Sequence, residues 1–347
     1  MLCPANTAEN QINVPVFRML GSDPVYQYDM GLGRPDEAQG VVTLEPVYEK
    51  GGGDRKWVEW YLKENFNGKG LALSYTQTGQ ENSFGWDKIS KGLPMQYEII
   101  SRKISAGETE LMTLGEAGAW FRENFTLTPS SAVCADSDSE NSGVKTAWYN
   151  SRFYRLNLFF DGEKVWIRDM HIFDENYRER FLYERDKDRS CGYYNLPVTD
   201  GFRFSKDGIR AGMYLLDGEE NFITGNEFKT ETDGKSTLKA SLDGKLMFIM
   251  NEGEAQISSP LPGWRLEFIY ADVDCVPYRS ACEKTLQMHF DGYDGNGYDY
   301  AVYLSQGTFT YKNGKISVIP ENGIIKFELG GQIIELERQK EGGHIQL

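Results

Sequence analysis

Carboxylates, amides and aromatic rings gather in four short stretches of the first 120 residues. The segment GSDPVYQYD carries Asp23, Tyr26, Gln27, Tyr28 and Asp29, and Glu45 precedes Pro46 in a second. The run YTQTGQENSFGWD holds Tyr75, Gln77, Gln80, Glu81, Asn82 and Trp86, and Glu116 follows Leu114-Gly115. Carboxylates and amides bind neighbouring hydroxyls through paired hydrogen bonds, and Trp or Tyr faces stack on the apolar side of a sugar ring. Glycoside cleavage needs one carboxyl as acid and a second as nucleophile or base, ~5–9.5 Å apart. Asp29, Glu45 and Glu81 are the candidates for that pair. Asp23, Tyr26, Tyr28, Tyr75, Gln77, Gln80, Asn82, Trp86 and Glu116 are the candidate substrate contacts. Each also has a structural reading: Glu116 can complement a helix dipole, and Glu45 can serve the local fold.

Other chemistries fit less well. No GxGxxG opens a helix, no GxSxG or Walker sequence occurs, and Gly51-Gly52-Gly53 reads as a loop. The only histidines are His171, His289 and His344, so the first 170 residues hold no histidine-based triad or metal site. Five cysteines without a CxxC pair read as free thiols of a reducing compartment. Arg168-Asp169-Met170-His171 lies in a strand-like run, where a buried Arg–Asp pair would brace a sheet. Asp291, Asp294, Asn296 and Asp299 suggest a calcium loop but fail the EF-hand pattern, and a glycine-rich turn is the plainer reading. No other cofactor or metal is expected.

The elements that would position these residues change character near residue 140. Before it, apolar runs at 14–20, 41–47, 71–75, 110–114 and 131–135 alternate with amphipathic stretches at 54–66, 94–104 and 116–125. That alternation predicts βα units on a parallel sheet, with function at the strand carboxyl ends. The acidic stretch 136–143 reads as a linker. Beyond it, Asp-Gly recurs at 161, 200, 207, 217, 233, 243, 291 and 294, between short β-rich runs. Such turns predict antiparallel hairpins. The expected fold class is therefore α/β plus all-β: a partial (β/α) barrel over 12–140, then an antiparallel β-sandwich over 145–338.

Composition removes several function classes. The 347 residues carry a formal charge of −15, which argues against nucleic acid and against an anionic membrane. No apolar run reaches the ~20 residues of a membrane span, and Met1–Gln11 lacks the regions of a signal peptide. The default expectation is a cytoplasmic protein without a membrane partner. Aromatic residues make up 13% of the chain, which suits packed sheets as well as sugar stacking.

The segments FRMLGSDPVYQYD, TLEPVYE, YTQTGQENSFGWD, TLGEAGAWFRENF, WYNSRFYRLNLFF and IRDMHIFDE together resemble the C-terminal part of a bacterial glycoside hydrolase family. The resemblance spans roughly residues 14–175. It implies a glycoside hydrolase/deacetylase-type (β/α) barrel followed by a β-sandwich, with the first barrel strands lying before residue 14. It also implies a carbohydrate substrate, and it transfers no catalytic residue. The expected function is hydrolysis of a poly- or oligosaccharide by paired carboxylates at the barrel mouth. The alternative is a non-catalytic carbohydrate-binding or scaffolding module.

Overall fold

The computed structural model describes residues 15, 22–26, 42–78, 84–173, 185, 196–206, 208–290, 298–312, 314–330 and 345–346. Its helices all precede residue 125: α1 (Arg55–Asn65), α2 (Trp86–Ile89), α3 (Gly92–Ser105) and α4 (Leu114–Asn124). Strands follow without further α-helices among the described residues. They are β1 (Ser131–Ala135), β2 (Lys145–Asn150), β3 (Tyr154–Phe160), β4 (Val165–Ile172), β5 (Leu196–Asp200) and β6 (Gly212–Leu216). Next come β7 (Phe228–Thr232), β8 (Leu238–Leu242), β9 (Leu246–Asn251), β10 (Glu254–Ser258), β11 (Arg265–Ile269) and β12 (Tyr278–Cys282). The last are β13 (Thr285–Phe290), β14 (Tyr298–Gln306), β15 (Thr308–Lys312), β16 (Lys315–Ile319), β17 (Ile324–Glu328) and β18 (Ile345–Gln346).

These strands form two open nine-stranded sheets. The first runs β1-β2-β3-β4-β6-β11-β16-β15, with β5 paired to β4 off that path. The second runs β18-β12-β13-β14-β17-β10-β9-β8-β7. Alternation along each strand sends one set of side chains into a shared core. Leu156, Leu158 and Phe160 of β3 meet Phe228, Leu238, Phe248, Val302 and Phe327 of the second sheet there. Asp-Gly turns serve the hairpins: Asp243 (φ 49°) and Gly244 (φ 67°) connect β8 to β9 in a left-handed conformation.

The other face of the first sheet is covered by the N-terminal layer. Phe159, Trp166, Tyr214 and Leu216 form a second core with Val25, Leu44, Trp57, Val58 and Tyr61. Helix α1 exists because Asp54 caps it, accepting from Lys56 N at 3.0 Å, and because its aromatic stripe is buried. Trp57 stacks on Tyr61 at 5.1 Å, and Trp57 Nε1 donates to buried Asp23.

The parallel (β/α) barrel expected over 12–140 is not present. Every described strand pairing is antiparallel, and neither sheet closes. The resemblance to a glycoside hydrolase/deacetylase barrel family is overturned with it. The helices expected around 54–66, 94–104 and 116–125 are there, but the runs between them do not form a sheet. Thr43 makes only an isolated antiparallel bridge to Ser22, and Leu71 one to Ser131. Residues 44–53 instead fold into consecutive turns, with Gly52 N donating to Thr43 O at 2.7 Å. Buried Gln96 of α3 donates to Leu44 O and Gly52 O, each at 2.6 Å, satisfying carbonyls that a sheet would otherwise have paired. Residues 110–113 carry no regular secondary structure before α4, which takes up Leu114, and 14–20 lies almost wholly outside the described residues. The acidic stretch 136–143 joins β1 to β2, which are adjacent antiparallel strands.

Gly51–Gly53 is thus a close-packing device. A Cβ on Gly52 would lie 2.2 Å from Leu44 O and 2.3 Å from Glu45 O. Gly52→Ala is expected to destabilise the protein by about 1–3 kcal/mol, read as a lower denaturant midpoint at unchanged slope, because backbone atoms cannot yield as a side-chain tip can. A midpoint equal to wild type would contradict this packing.

Candidate functional site

The densest group of buried ionisable side chains stands on the outer face of the first sheet, where β3, β4 and β5 run side by side. In β4, Met170 and Ile172 point into the sandwich core, so Asp169 and His171 face outward. Asp200 lies opposite Asp169 in the β4–β5 register, and Arg155 of β3 lies opposite His171. Arg155 grips Asp169 with two hydrogen bonds, Nε to Oδ1 at 2.7 Å and Nη2 to Oδ2 at 2.9 Å. His171 Nε2 sits 3.0 Å from Asp200 Oδ2 and 3.4 Å from Asp169 Oδ2. The other Asp200 oxygen accepts from Phe202 N and Arg203 N, each at 2.9 Å. The His171 side chain is 1% exposed, and its Nδ1 has no hydrogen-bond partner among the described residues.

Burial alone would raise the Asp169 carboxyl, but Arg155 and His171 outweigh it and hold that carboxyl well below the usual range. Burial also pushes the His171 imidazole down; the Asp169 charge and hydrogen bonds to both carboxylates reverse this and raise it. Asp169, His171 and Asp200 form a group that could hold a metal ion, since one ligand atom from each lies within 4.8 Å of the others. The expected Arg168–Asp169 pair does not form the brace. A β-bulge between β3 and β4 leaves Arg168 as the extra residue, and its guanidinium turns to the N-terminal layer while Asp169 takes Arg155.

Among the described residues, the sequence-derived candidates fall in several separate places. Asp23 is buried and closes a local turn, accepting from Val25 N, Tyr26 N and Trp57 Nε1; burial raises its carboxyl. Tyr26 donates a short hydrogen bond to Asp138, and burial together with that carboxylate pushes its phenol up to about 12. Glu45 is a half-buried member of the turn at 44–48. Trp86 opens α2 and is 65% exposed. Glu116 closes a capping box with Thr113 at the start of α4, which is its structural reading. Asp29, Tyr28, Gln80, Glu81 and Asn82 lie outside the described residues, as do Asp291, Asp294 and Asn296. Asp299 is described, and it pairs with His289 Nδ1 at 2.7 Å.

Tyr75 and Gln77, two residues apart in one run, border a common space. They line a hollow of about 590 Å³ between α1, the extended run 72–78, α3 and α4. Met112 and Trp120 stand in its opposite wall, and Lys103 at its edge is neutralised by Glu108 at 2.8 Å.

The expected glycoside hydrolase falls with the barrel. There is no barrel mouth to bring strand-end carboxylates together, and the described Asp–His–Asp group is not an acid/nucleophile pair of carboxyls. Of the expected carboxylates Asp29, Glu45 and Glu81, only Glu45 lies among the described residues, and it sits in a turn rather than at a barrel mouth. Reading alternation strictly would have placed Asp169 and His171 on one face; nothing local in the sequence singled out Arg155 or Asp200 as their partners.

No family model matches the chain, and no curated protein matches it. A crystal structure of active YidC insertase with the first transmembrane domain resolved is similar at 13% identity and a TM-score of 0.31. The match covers 67% of this chain and 46% of that one, so the chain spans less than half its length. A likeness at that level carries no argument. Among the described residues, no helix is long and apolar enough to cross a membrane.

Two consequences can be measured. Asp169→Ala removes the buried carboxylate that both Arg155 and His171 engage, and its expected cost is about 3–5 kcal/mol in chemical denaturation. Thr113→Ala removes the side-chain half of the capping box, and amide exchange in the first turn of α4 should accelerate by roughly fivefold, equivalent to about 1 kcal/mol.

Proposed function

We propose that the chain holds a carbohydrate-class ligand, neutral and rich in hydroxyls, in the hollow beside Tyr75 and Gln77. One feature carries this reading: a run of hydroxyl and amide side chains, Ser74 to Thr78, borders the same space as the Trp120 ring and the apolar Met112. Sugars need both kinds of surface, hydrogen-bonding groups for their edges and an aromatic plane for their C–H faces. A space of about 590 Å³ falls within the usual range for small-molecule sites. The pairing of Lys103 with Glu108 and the net charge of −15 favour an uncharged ligand over an anionic one.

The role is binding, with orientation set by Gln77 and Tyr75 and affinity by Trp120. Burial raises the Tyr75 phenol above its ordinary value, so it remains a neutral hydroxyl across the physiological range. Isothermal titration of the protein with a panel of neutral oligosaccharides tests the reading. At least one should bind, and Trp120→Ala should weaken it about tenfold, the equivalent of ~1.4 kcal/mol. Gln77→Ala should weaken it to a similar degree. A panel without a binder, or binding indifferent to both substitutions, would overturn the assignment.

A further inference from the structure

The cluster on β4 and β5 is independent of that hollow. We infer that Asp169, His171 and Asp200 form a site for one divalent transition-metal ion of the zinc, manganese or cobalt class.

Three observations converge on it. The first is the separation of the ligand atoms. His171 Nε2 lies 3.0 Å from Asp200 Oδ2 and 3.4 Å from Asp169 Oδ2. Metal bonds of ~2.0–2.2 Å place neighbouring ligands of one ion roughly 2.9–3.4 Å apart, so the spacing already suits a shared ion.

The second is how each ligand is held. Asp200 Oδ1 is occupied by two backbone N–H groups, while Oδ2 lies 3.0 Å from the imidazole with Arg203 Nε farther off at 3.8 Å. Asp169 is fixed by Arg155, which donates to both carboxylate oxygens, Oδ1 at 2.7 Å and the cluster-facing Oδ2 at 2.9 Å, as an outer-shell donor orients a ligating carboxylate. The ligands therefore come from two strands, and an ion would fasten β5, which lies off the main path of the sheet, to β4.

The third is the imidazole itself. It is buried, with Nε2 turned into the cluster and with no partner for Nδ1 among the described residues. The donor set also selects the ion. An imidazole nitrogen suits zinc and its transition-metal neighbours, whereas calcium and magnesium take all-oxygen sites. On coordination, Nε2 gives up any proton it carries to solvent and donates its lone pair to the metal. The protein supplies three ligands, and the remaining positions fall to water or to a ligand oxygen.

The test uses the full chain, first stripped with chelator and then titrated separately with Zn²⁺, Mn²⁺, Co²⁺ and Ca²⁺. One equivalent of at least one transition metal should be retained after desalting and should raise Tm, while Ca²⁺ should not. The Co²⁺ form should show visible d–d absorption, and X-ray absorption at the bound metal should report one imidazole with oxygen neighbours. Asp200→Asn should weaken retention by at least about tenfold. The absorption experiments use the wild-type chain, so they decide the matter even where a variant fails to fold. Failure to retain any transition metal would overturn the proposal. So would a bound metal without an imidazole ligand, or retention unchanged in a folded Asp200→Asn protein.

Discussion

The fold turns on one buried cation. Arg168 is 2% exposed, yet its guanidinium cannot shed its charge, so the chain must bring acceptors to it. It donates to Asn157 Oδ1 at 2.8 Å within the sheet and to Val25 O at 2.6 Å across the layer boundary. It also lies 4.3 Å from the Phe159 ring centre. The turn at 22–26 is held over the sheet by this contact, and Asp23 within that turn accepts from Trp57 of α1. One guanidinium thereby connects the sheet, the turn and the first helix. A bulge makes this possible: without the extra residue between β3 and β4, Arg168 and Asp169 would face opposite sides of the sheet.

The same face divides into two chemistries. Under α1 it is aromatic, with Trp166 stacked on Tyr214 at 5.1 Å and packed against Phe159. Toward β5 it is ionic, with Arg155, Asp169, His171 and Asp200 sharing charge in a space closed to solvent. The aromatic half needs only area and shape, and it contributes cohesion to the N-terminal layer. The ionic half needs every donor matched, since an unpaired charge in that position costs several kcal/mol. This difference explains why the ionic half is the better place to look for a specific role, and why the aromatic content of the sequence is largely spent on packing.

The hollow near Tyr75 follows from what the N-terminal region does not build. Among the described residues its apolar runs make only isolated bridges, and 72–78, neither helix nor strand, borders the space beside α1 and α3. Gln96 and the glycines at 51–53 and 92 replace sheet hydrogen bonds with close backbone packing around residues 43–46. The hollow and the loop packing are thus two results of the same local arrangement.

Local signals in the sequence determined the parts that neighbours in the chain can settle. The stripe Trp57, Trp60, Tyr61 and Glu64, with Asp54 ahead of it, specifies α1, and Asp243-Gly244 specifies a hairpin turn. Tyr75 and Gln77 stand out in the sequence as polar residues at the end of an apolar run, read there as a strand end. A short apolar segment such as 71–75 or 41–47, however, favours an extended backbone without naming its partner or direction. Partner choice belongs to the tertiary structure, which is why a parallel barrel was a consistent reading of the spacing and is not what forms. Asp200, at an Asp-Gly pair typical of turns, became a buried carboxylate for the same reason: only the register of β5 against β4 sets it beside His171. The identity of Arg155, rather than Arg168, as the partner of Asp169 rests on one bulged residue, a feature that alternation alone does not encode.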